Sequence, residues 1–442
     1  MVYEIVIGRS ESDKKKFGLK GTIFLGRHYV KMGQTTSLSS DILLDTNRTH
    51  IVFICGKRGS GKSYTMGAIA EGIAGLPDEI KNNLCTIIFD TMGIYWTMKF
   101  PNNKDKEMLK QWNLETKGLD VTVYTPKGFF DSYKERGIPT DFPFSIKPSD
   151  LASSDWCLTF DLDPNKPVGV LVERVINKLK KEKTDYTISD IIEAVKADDK
   201  SSENEKNMVE NQFRKSKEWG LFSKEGTSIE DLTYGGKTIV IDLSPYATQA
   251  GTWGIKALII GIISQKVFLE RLTARKVEEH GILEKSMRYF GEEEKKKIQR
   301  QTPLVWLMLD EAHEFLPREG STAATNALVT ILREGREPGV SLVLASQQPG
   351  KIHSDVMTQA DVVIAHRLTA KIDIDALGKL MQSYMRHGLD EELNKLPRVT
   401  GAAIVFDDMN EKLYPMQVRP RFTWHGGEAP IAIGEAEKKI EF

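Results

Sequence analysis

Residues 56–63 read Gly-Lys-Arg-Gly-Ser-Gly-Lys-Ser, directly behind the apolar run Ile51-Val52-Phe53-Ile54-Cys55. The pattern G-x-x-x-x-G-K-[ST] between a buried strand and a helix is a phosphate-binding loop, and the helix is expected here over Tyr64 to Ile73. Its glycines let the backbone wrap a phosphate chain with N–H groups turned inward, and the helix that follows adds the positive end of its dipole. The expected nucleotide contacts are Gly56, Arg58, Gly59, Ser60, Gly61, Lys62, Ser63 and Tyr64. Lys62 is expected to reach the β- and γ-phosphates and the Ser63 hydroxyl to hold Mg²⁺, so ATP and Mg²⁺ are the implied ligands.

Such a loop needs a sheet around it. The chain alternates apolar runs with helical patterns, which predicts an α/β fold built on a mainly parallel sheet. Candidate strands are Ile51–Cys55, Leu84–Phe89, Val121–Tyr124, Thr238–Leu243, Pro303–Leu309, Val340–Ala345, Val362–His366 and Ala402–Phe406. Residues 1–47 read as a small β-rich lead-in with pieces at Tyr3–Ile7, Gly21–Leu25 and Ile42–Leu44. Residues 165–235 read as a helical insertion, one helix marked by Val168, Leu171, Val172, Val175, Ile176 and Leu179. A second is opened by a Thr187/Asp190 capping box, and a third lies around Asn204–Trp219. The charged stretch Arg275–Arg300 is expected to be a solvated helical hairpin. The predicted division is 1–47, a first core part 48–164, the insertion 165–235, a second core part 236–420, and a tail 421–442.

The second half supplies partners for the loop. The apolar run Leu304–Leu309 ends in Asp310-Glu311, where a carboxylate at a strand tip can bind Mg²⁺ directly or through water. Asp310 takes that role, and Glu311 is positioned to orient or deprotonate an attacking water. A small-molecule kinase does not need this second carboxylate, so the pair argues for hydrolysis. The strand Val340–Ala345 leads into Ser346-Gln347-Gln348-Pro349. Gln347, with Gln348 as the alternative, could sense the γ-phosphate or hold the water; a glutamine merely closing a strand at a turn is the competing reading. A helix from about Thr322 to Glu334, capped by Ser321 and closed by Gly335, places Arg333 and Arg336 near the sheet edge. In a ring of subunits a guanidinium there could act on the neighbour's nucleotide, an effect worth roughly 10³–10⁵ in rate. Arginines at helix ends otherwise interact with the dipole and solvent.

Composition narrows the partners. With a net charge of −1 and 28% charged residues, any nucleic-acid contact must be local, as in a ring pore. Arg318 and Lys351, in the loops that follow the two strand tips, are the candidates for DNA contact, against a reading as solvated loop charges. Cys55, Cys85 and Cys157 lack metal-ligand spacing and read as reduced core residues of a cytoplasmic protein. The N-terminus lacks a signal-peptide pattern, and the most apolar window, Ala257–Ile263, is too short to cross a bilayer, so no integral membrane association is expected.

At this point the motifs resemble the HerA group of the HerA/FtsK superfamily. The resemblance is carried by Gly56–Ser63 with Tyr64-Thr65-Met66-Gly67, by Leu309-Asp310-Glu311-Ala312-His313-Glu314-Phe315-Leu316-Pro317 and by Leu332-Arg333-Glu334-Gly335-Arg336. Ala345-Ser346-Gln347-Gln348-Pro349 and Val418-Arg419-Pro420-Arg421-Phe422-Thr423-Trp424-His425-Gly426-Gly427 complete it, in the expected order over roughly 45–427. It implies a RecA-like P-loop ATPase core with a helical insertion, a homo-hexamer, and ATP-driven movement on DNA. It also implies that Arg336 is the finger acting in trans and that the segment from about Arg421 braces a neighbouring subunit. Two departures stand out. Only about fifty residues precede the loop, so the N-terminal β-barrel of the archaeal members that pair with the NurA nuclease would be reduced. Asp90-Thr91-Met92-Gly93-Ile94-Tyr95 carries Ile where the family often has Glu. Short HerA-like proteins also accompany other effectors, including nucleases and NAD-consuming enzymes of phage defence.

Three functions fit these motifs: a DNA-translocating motor or helicase working with an effector in DNA-end processing or antiviral defence, a secretion- or conjugation-type ATPase, and a ring that scaffolds and regulates an effector enzyme. DNA-stimulated hydrolysis separates the first from the third.

Overall fold

The structure is a computed structural model that describes residues 4–32, 35–247, 253–287, 302–381 and 389–427. Its described strands are β1 (Ile5–Ile7), β2 (Thr22–Met32), β3 (Thr35–Asp45), β4 (Ile51–Cys55), β5 (Leu84–Asp90), β6 (Val121–Pro126) and β7 (Phe142–Phe144). They continue with β8 (Thr238–Asp242), β9 (Leu304–Leu309), β10 (Val340–Ser346), β11 (Val362–His366), β12 (Ala402–Asp407) and β13 (Lys412–Val418). All join one sheet in the order β1-β3-β2-β13-β12-β11-β4-β10-β9-β5-β8-β6-β7. From β11 to β7 every neighbouring pair is parallel. On the other side, β12, β13, β2 and β3 continue it through antiparallel pairs.

The central strands are apolar on both faces because both faces are covered. β4, β5, β10 and β11 are buried at every residue. Side chains alternate between faces. Ile51, Phe53 and Cys55 enter one core cluster; Val52 and Ile54 enter the other. The second cluster is closed by the helix Lys62–Ala74 through Met66, Ile69 and Ile73. The first is closed by the helices Trp253–Met287 and Thr325–Glu334, through Leu258, Ile262, Leu328 and Ile331. Three further helices, Pro167–Glu182, Ile188–Lys196 and Glu203–Glu218, join that same cluster through Leu171, Val175, Ile191, Val195 and Phe213. The Thr187/Asp190 capping box opens the second of these, as its sequence spacing requires. Cys55, Cys85 and Cys157 are free and buried.

Register aligns the strand tips. Cys55 pairs with Ser346, Leu344 with Leu309, Phe89 with Leu309, and Asp90 with Asp242. The loops that follow these tips therefore meet at the C-terminal edge of the parallel strands, where α/β sheets place their ligands.

Several expectations are corrected. The N-terminal strands are joined to the core: β2 pairs with β13, so β1–β3 continue the sheet. Strands β7 and β13 carry Pro143 and Pro415 and give little strand signal. In β13 the pairing to β2 runs only over Met416–Val418, so the missing N–H of Pro415 faces no partner there. The expected hairpin over Arg275–Arg300 is not formed at its start: a single helix runs unbroken to Met287, helped by the pairs Arg275–Glu278 and Arg275–Glu279. Residues 288–301 lie outside the described residues. The helix expected from Thr322 begins at Thr325, because the Thr322 and Thr325 hydroxyls both donate to the Phe315 carbonyl and hold the preceding turn.

Candidate nucleotide site

The loop Gly56–Ser63 leaves β4 at the aligned edge and turns into the helix at Lys62. Gly56, Gly59 and Gly61 all have positive φ, which lets successive N–H groups turn into one concavity. At Gly56 a Cβ would lie 2.5 Å from Ser60 Oγ and 2.6 Å from His366 Cβ, so glycine is required. The loop is pinned from outside: Lys57 N–H donates to the Arg367 carbonyl at 2.9 Å, and Gly401 N–H to the Ser60 carbonyl at 3.2 Å. Beneath it, His366 at the end of β11 pairs Nε2 with Thr65 Oγ1 at 2.9 Å and Nδ1 with the Ala402 carbonyl at 3.1 Å. Burial brings this imidazole down to about 4, so it is a neutral structural support. Lys62 is buried, its Nζ donating to the Lys57 carbonyl at 3.3 Å inside the loop. Arg58 is exposed.

Ser63 and Asp310 meet across the sheet, the Ser63 hydroxyl donating to Asp310 Oδ2 at 2.5 Å. A hydroxyl and a carboxylate are the hard oxygen donors that Mg²⁺ takes alongside substrate phosphates and water, so these two residues fit the ion. Glu311 follows with φ 51° and ψ 41°, a left-handed backbone rare for a non-glycine residue and concentrated at functional sites. Burial and the adjacent Asp310 charge push its carboxyl above the ordinary carboxylate range; Lys62, a hydrogen bond from Gln347 and Arg58 pull it partly back. Gln347 thus stands beside Glu311. Gln348 is engaged through its backbone instead, its N–H donating to Ser346 Oγ at 3.1 Å.

The remaining named residues lie apart from this centre. Arg336 is exposed at the opposite end of the sheet, its carbonyl accepting from Thr49 Oγ1 at 3.2 Å just before β4. Arg333 is ion-paired to Asp355 at 2.5 Å. Arg318 and Lys351 are exposed and adjacent: Arg318 N–H donates to the Lys351 carbonyl at 2.8 Å, beside a Pro317–Ile352 bridge. Ile94 packs against the second core cluster, while Asp90 accepts the N–H groups of Gly93 and Tyr95, both at 2.7 Å, to shape the turn around it.

A supporting cluster escaped sequence reasoning. Glu71, fully buried on the helix Lys62–Ala74, accepts from Arg419 Nη1 at 2.7 Å, Arg421 Nε at 3.1 Å, and the Phe422 and Thr423 N–H groups. The Arg421 N–H donates to Tyr64 Oη at 2.6 Å, one residue beyond Ser63. Gly67 makes room, since a Cβ there would lie 2.5 Å from Arg421 Nη1. The Arg421 side chain thus clamps the loop helix of its own chain, and residues 428–442 lie outside the described residues. The signal available was a lone acidic residue in the otherwise apolar stretch Met66–Ile73. Burial alone would raise the Glu71 carboxyl, but Arg419 and Arg421 together hold it below its ordinary value. Its contribution is therefore present above the ordinary carboxylate range and is lost as pH falls through the lowered value. Glu71→Ala leaves two buried guanidiniums without their carboxylate and is expected to cost about 3–5 kcal/mol, read as a lowered urea midpoint; an unchanged midpoint would contradict the clamp.

A glycine-rich phosphate loop, a facing Ser–Asp pair and a glutamate on the next strand tip but one define a P-loop ATPase. Residues 24–263, more than half of the chain, match the family described as the helicase HerA, central domain, and the chain belongs to that family. Over 163 residues it is 28% identical to the DNA double-strand break repair helicase HerA of Pyrococcus furiosus, a match covering 35% of this chain and 28% of that protein. Over 119 residues it is 30% identical to a probable DNA double-strand break repair helicase HerA of Methanocaldococcus jannaschii, covering 26% and 24% of the two chains. The matches therefore span less than a third of either relative's own length. Among solved structures, VirB4 of Thermoanaerobacter pseudethanolicus shares the fold, with a TM-score of 0.55 over 91% of this chain and 97% of its own at 13% identity. Among the described residues, no helix is long and apolar enough to cross a membrane.

Proposed function

We propose that this chain is a DNA-translocating ATPase that hydrolyses ATP between the subunits of a homo-hexameric ring. The observation that carries the reading is the meeting of Ser63 with Asp310, with Glu311 and Gln347 beside them in front of the phosphate loop. In this reading the loop N–H groups and Lys62 hold the phosphates. Ser63 and Asp310 hold Mg²⁺, which neutralises charge developing on the phosphate oxygens. Gln347 keeps the Glu311 carboxyl oriented, and Glu311 takes the proton of the attacking water. The placement of Arg336 supports a ring. It lies at the N-terminal end of β4 and the phosphate loop at the other, about 16 Å away along five residues at ~3.3 Å each. Its own site is out of reach, so in this reading Arg336 acts on a neighbour's nucleotide. Arg333, held by Asp355, is the poorer candidate.

Arg318 and Lys351 extend the reading to DNA. Their loops are hydrogen-bonded together and spring from the strand tips that carry Glu311 and Gln347, so hydrolysis can move both at once. Sixfold repetition would line a pore with positive charge despite a net charge of −1 per chain. Such contacts are to phosphate, so binding is sequence-tolerant and salt-sensitive. The test is DNA-stimulated ATP turnover at rising salt for the parent and for an Arg318→Ala, Lys351→Ala double variant. The variant should need more DNA for half-stimulation, and its log–log salt slope should fall by about 0.9 for each lost duplex contact. An unchanged slope would remove these residues from the track. A parent that DNA does not stimulate at low salt would favour the scaffold reading.

A further inference from the structure

The described hydrogen bonds run from the Arg318–Lys351 loops as far as His313 Nδ1, which stops just short of the Glu311 carboxyl. The Lys351 N–H donates to the Gln348 carbonyl at 3.0 Å, and the Gln348 N–H to Ser346 Oγ at 3.1 Å. Ser346 Oγ lies 3.2 Å from His313 Nδ1, and the same Nδ1 lies 3.6 Å from Glu311 Oε2. Glu311 Oε2 is buried and has no hydrogen-bond partner among the described residues, while its backbone is left-handed. A buried carboxylate oxygen without a donor is costly, so it is poised to capture one. The only nitrogen the line brings near it is Nδ1, already occupied by Ser346.

We propose that His313 is a positioning residue whose Nδ1 is shared between two partners, Ser346 when the loops are free of DNA and Glu311 Oε2 when DNA draws the Lys351 loop away. This rests on the DNA-stimulated motor reading above and names how its site is regulated. A neutral imidazole has one N–H, and an Nδ1–H can serve Ser346 or Glu311 well but not both. His313 is held neutral: burial, then the charges of Lys351 and Lys62, bring it to about 4. Passing Nδ1–H to Oε2 satisfies the orphan oxygen and fixes the carboxyl that faces the water. Both ends bias the same two-state contact, which is the physical requirement for coupling between sites.

The two ends predict opposite effects. His313→Ala should leave the DNA-free rate near its parent value and abolish the stimulation, about 5- to 150-fold for a coupling of ordinary size. His313→Asn, whose side-chain amide can place a donor near the Nδ1 position, should retain part of it. Ser346→Ala frees Nδ1 permanently and should raise the DNA-free rate toward the stimulated one. Binding of a non-hydrolysable ATP analogue should be unchanged in all three, which a merely structural role would not give. Should His313→Ala fail to fold, the other two variants carry the test. Parent-like stimulation in His313→Ala, or a Ser346→Ala that lowers both rates together, overturns the proposal while leaving the motor reading intact. A parent without DNA stimulation overturns both.

Discussion

Glu311→Gln is expected to bind ATP about as tightly as the parent and to hydrolyse it some 10²–10⁴-fold more slowly, the range a positioned general base contributes. Glutamine keeps the size of the side chain and can still meet Gln347, so the loop, Lys62 and the Ser63–Asp310 pair stay in place. Only the ability to accept a proton is lost. The variant should therefore accumulate as an ATP-bound state, measurable as retained labelled nucleotide after a single-turnover chase. Replacing Lys62 or Asp310 should act earlier, on productive binding of MgATP. Near-parent turnover by Glu311→Gln would show that this carboxylate is not the base, whatever its position.

Arg336→Ala is expected to lose about 10³–10⁵ in turnover, the range for a finger arginine that neutralises transition-state charge. The loss should depend on assembly in a way a cis defect cannot. Arg336 and the phosphate loop lie at opposite ends of β4, so in the proposed ring each interface would draw its arginine from one subunit and its carboxylate from the next. Mixing inactive Arg336→Ala subunits with inactive Glu311→Gln subunits creates some interfaces with both groups intact. Activity should reappear in the mixture, and parent activity should rise more than linearly with concentration until rings form. Specific activity that stays constant down to a monomeric dilution would contradict the trans arrangement.

The parallel core was legible because its signals are local. Ile51–Cys55 with the loop behind it, and Leu304–Leu309 with Asp310-Glu311 behind it, each combine a short apolar run with a polar tip, a pattern that survives without knowledge of neighbours. The N-terminal strands carry local strand signals, but their place in the sheet is not legible. The pairing of β2 with β13 joins residues 26–28 to residues 416–418, and nothing local encodes that contact. The same distance hid the Glu71 clamp, whose carboxylate and arginines lie about 350 positions apart in the chain. The motif alone assigns His313 no role, since its meaning comes from Ser346 on the adjacent strand. Gln347 is the sequence choice with Gln348 as the alternative; the structure sets Gln347 beside Glu311 and engages the Gln348 backbone with Ser346.

In the proposed motor the Asp310–Glu311 site hydrolyses ATP in response to DNA. The direct measurement is steady-state ATP turnover by the assembled parent chain at low salt, with and without DNA of unrelated sequences, beside Glu311→Gln. Turnover should rise with DNA irrespective of sequence, fall as salt rises, and be lacking in Glu311→Gln under every condition. Turnover indifferent to DNA in a demonstrably assembled ring, or equal turnover by Glu311→Gln, would contradict the proposed motor.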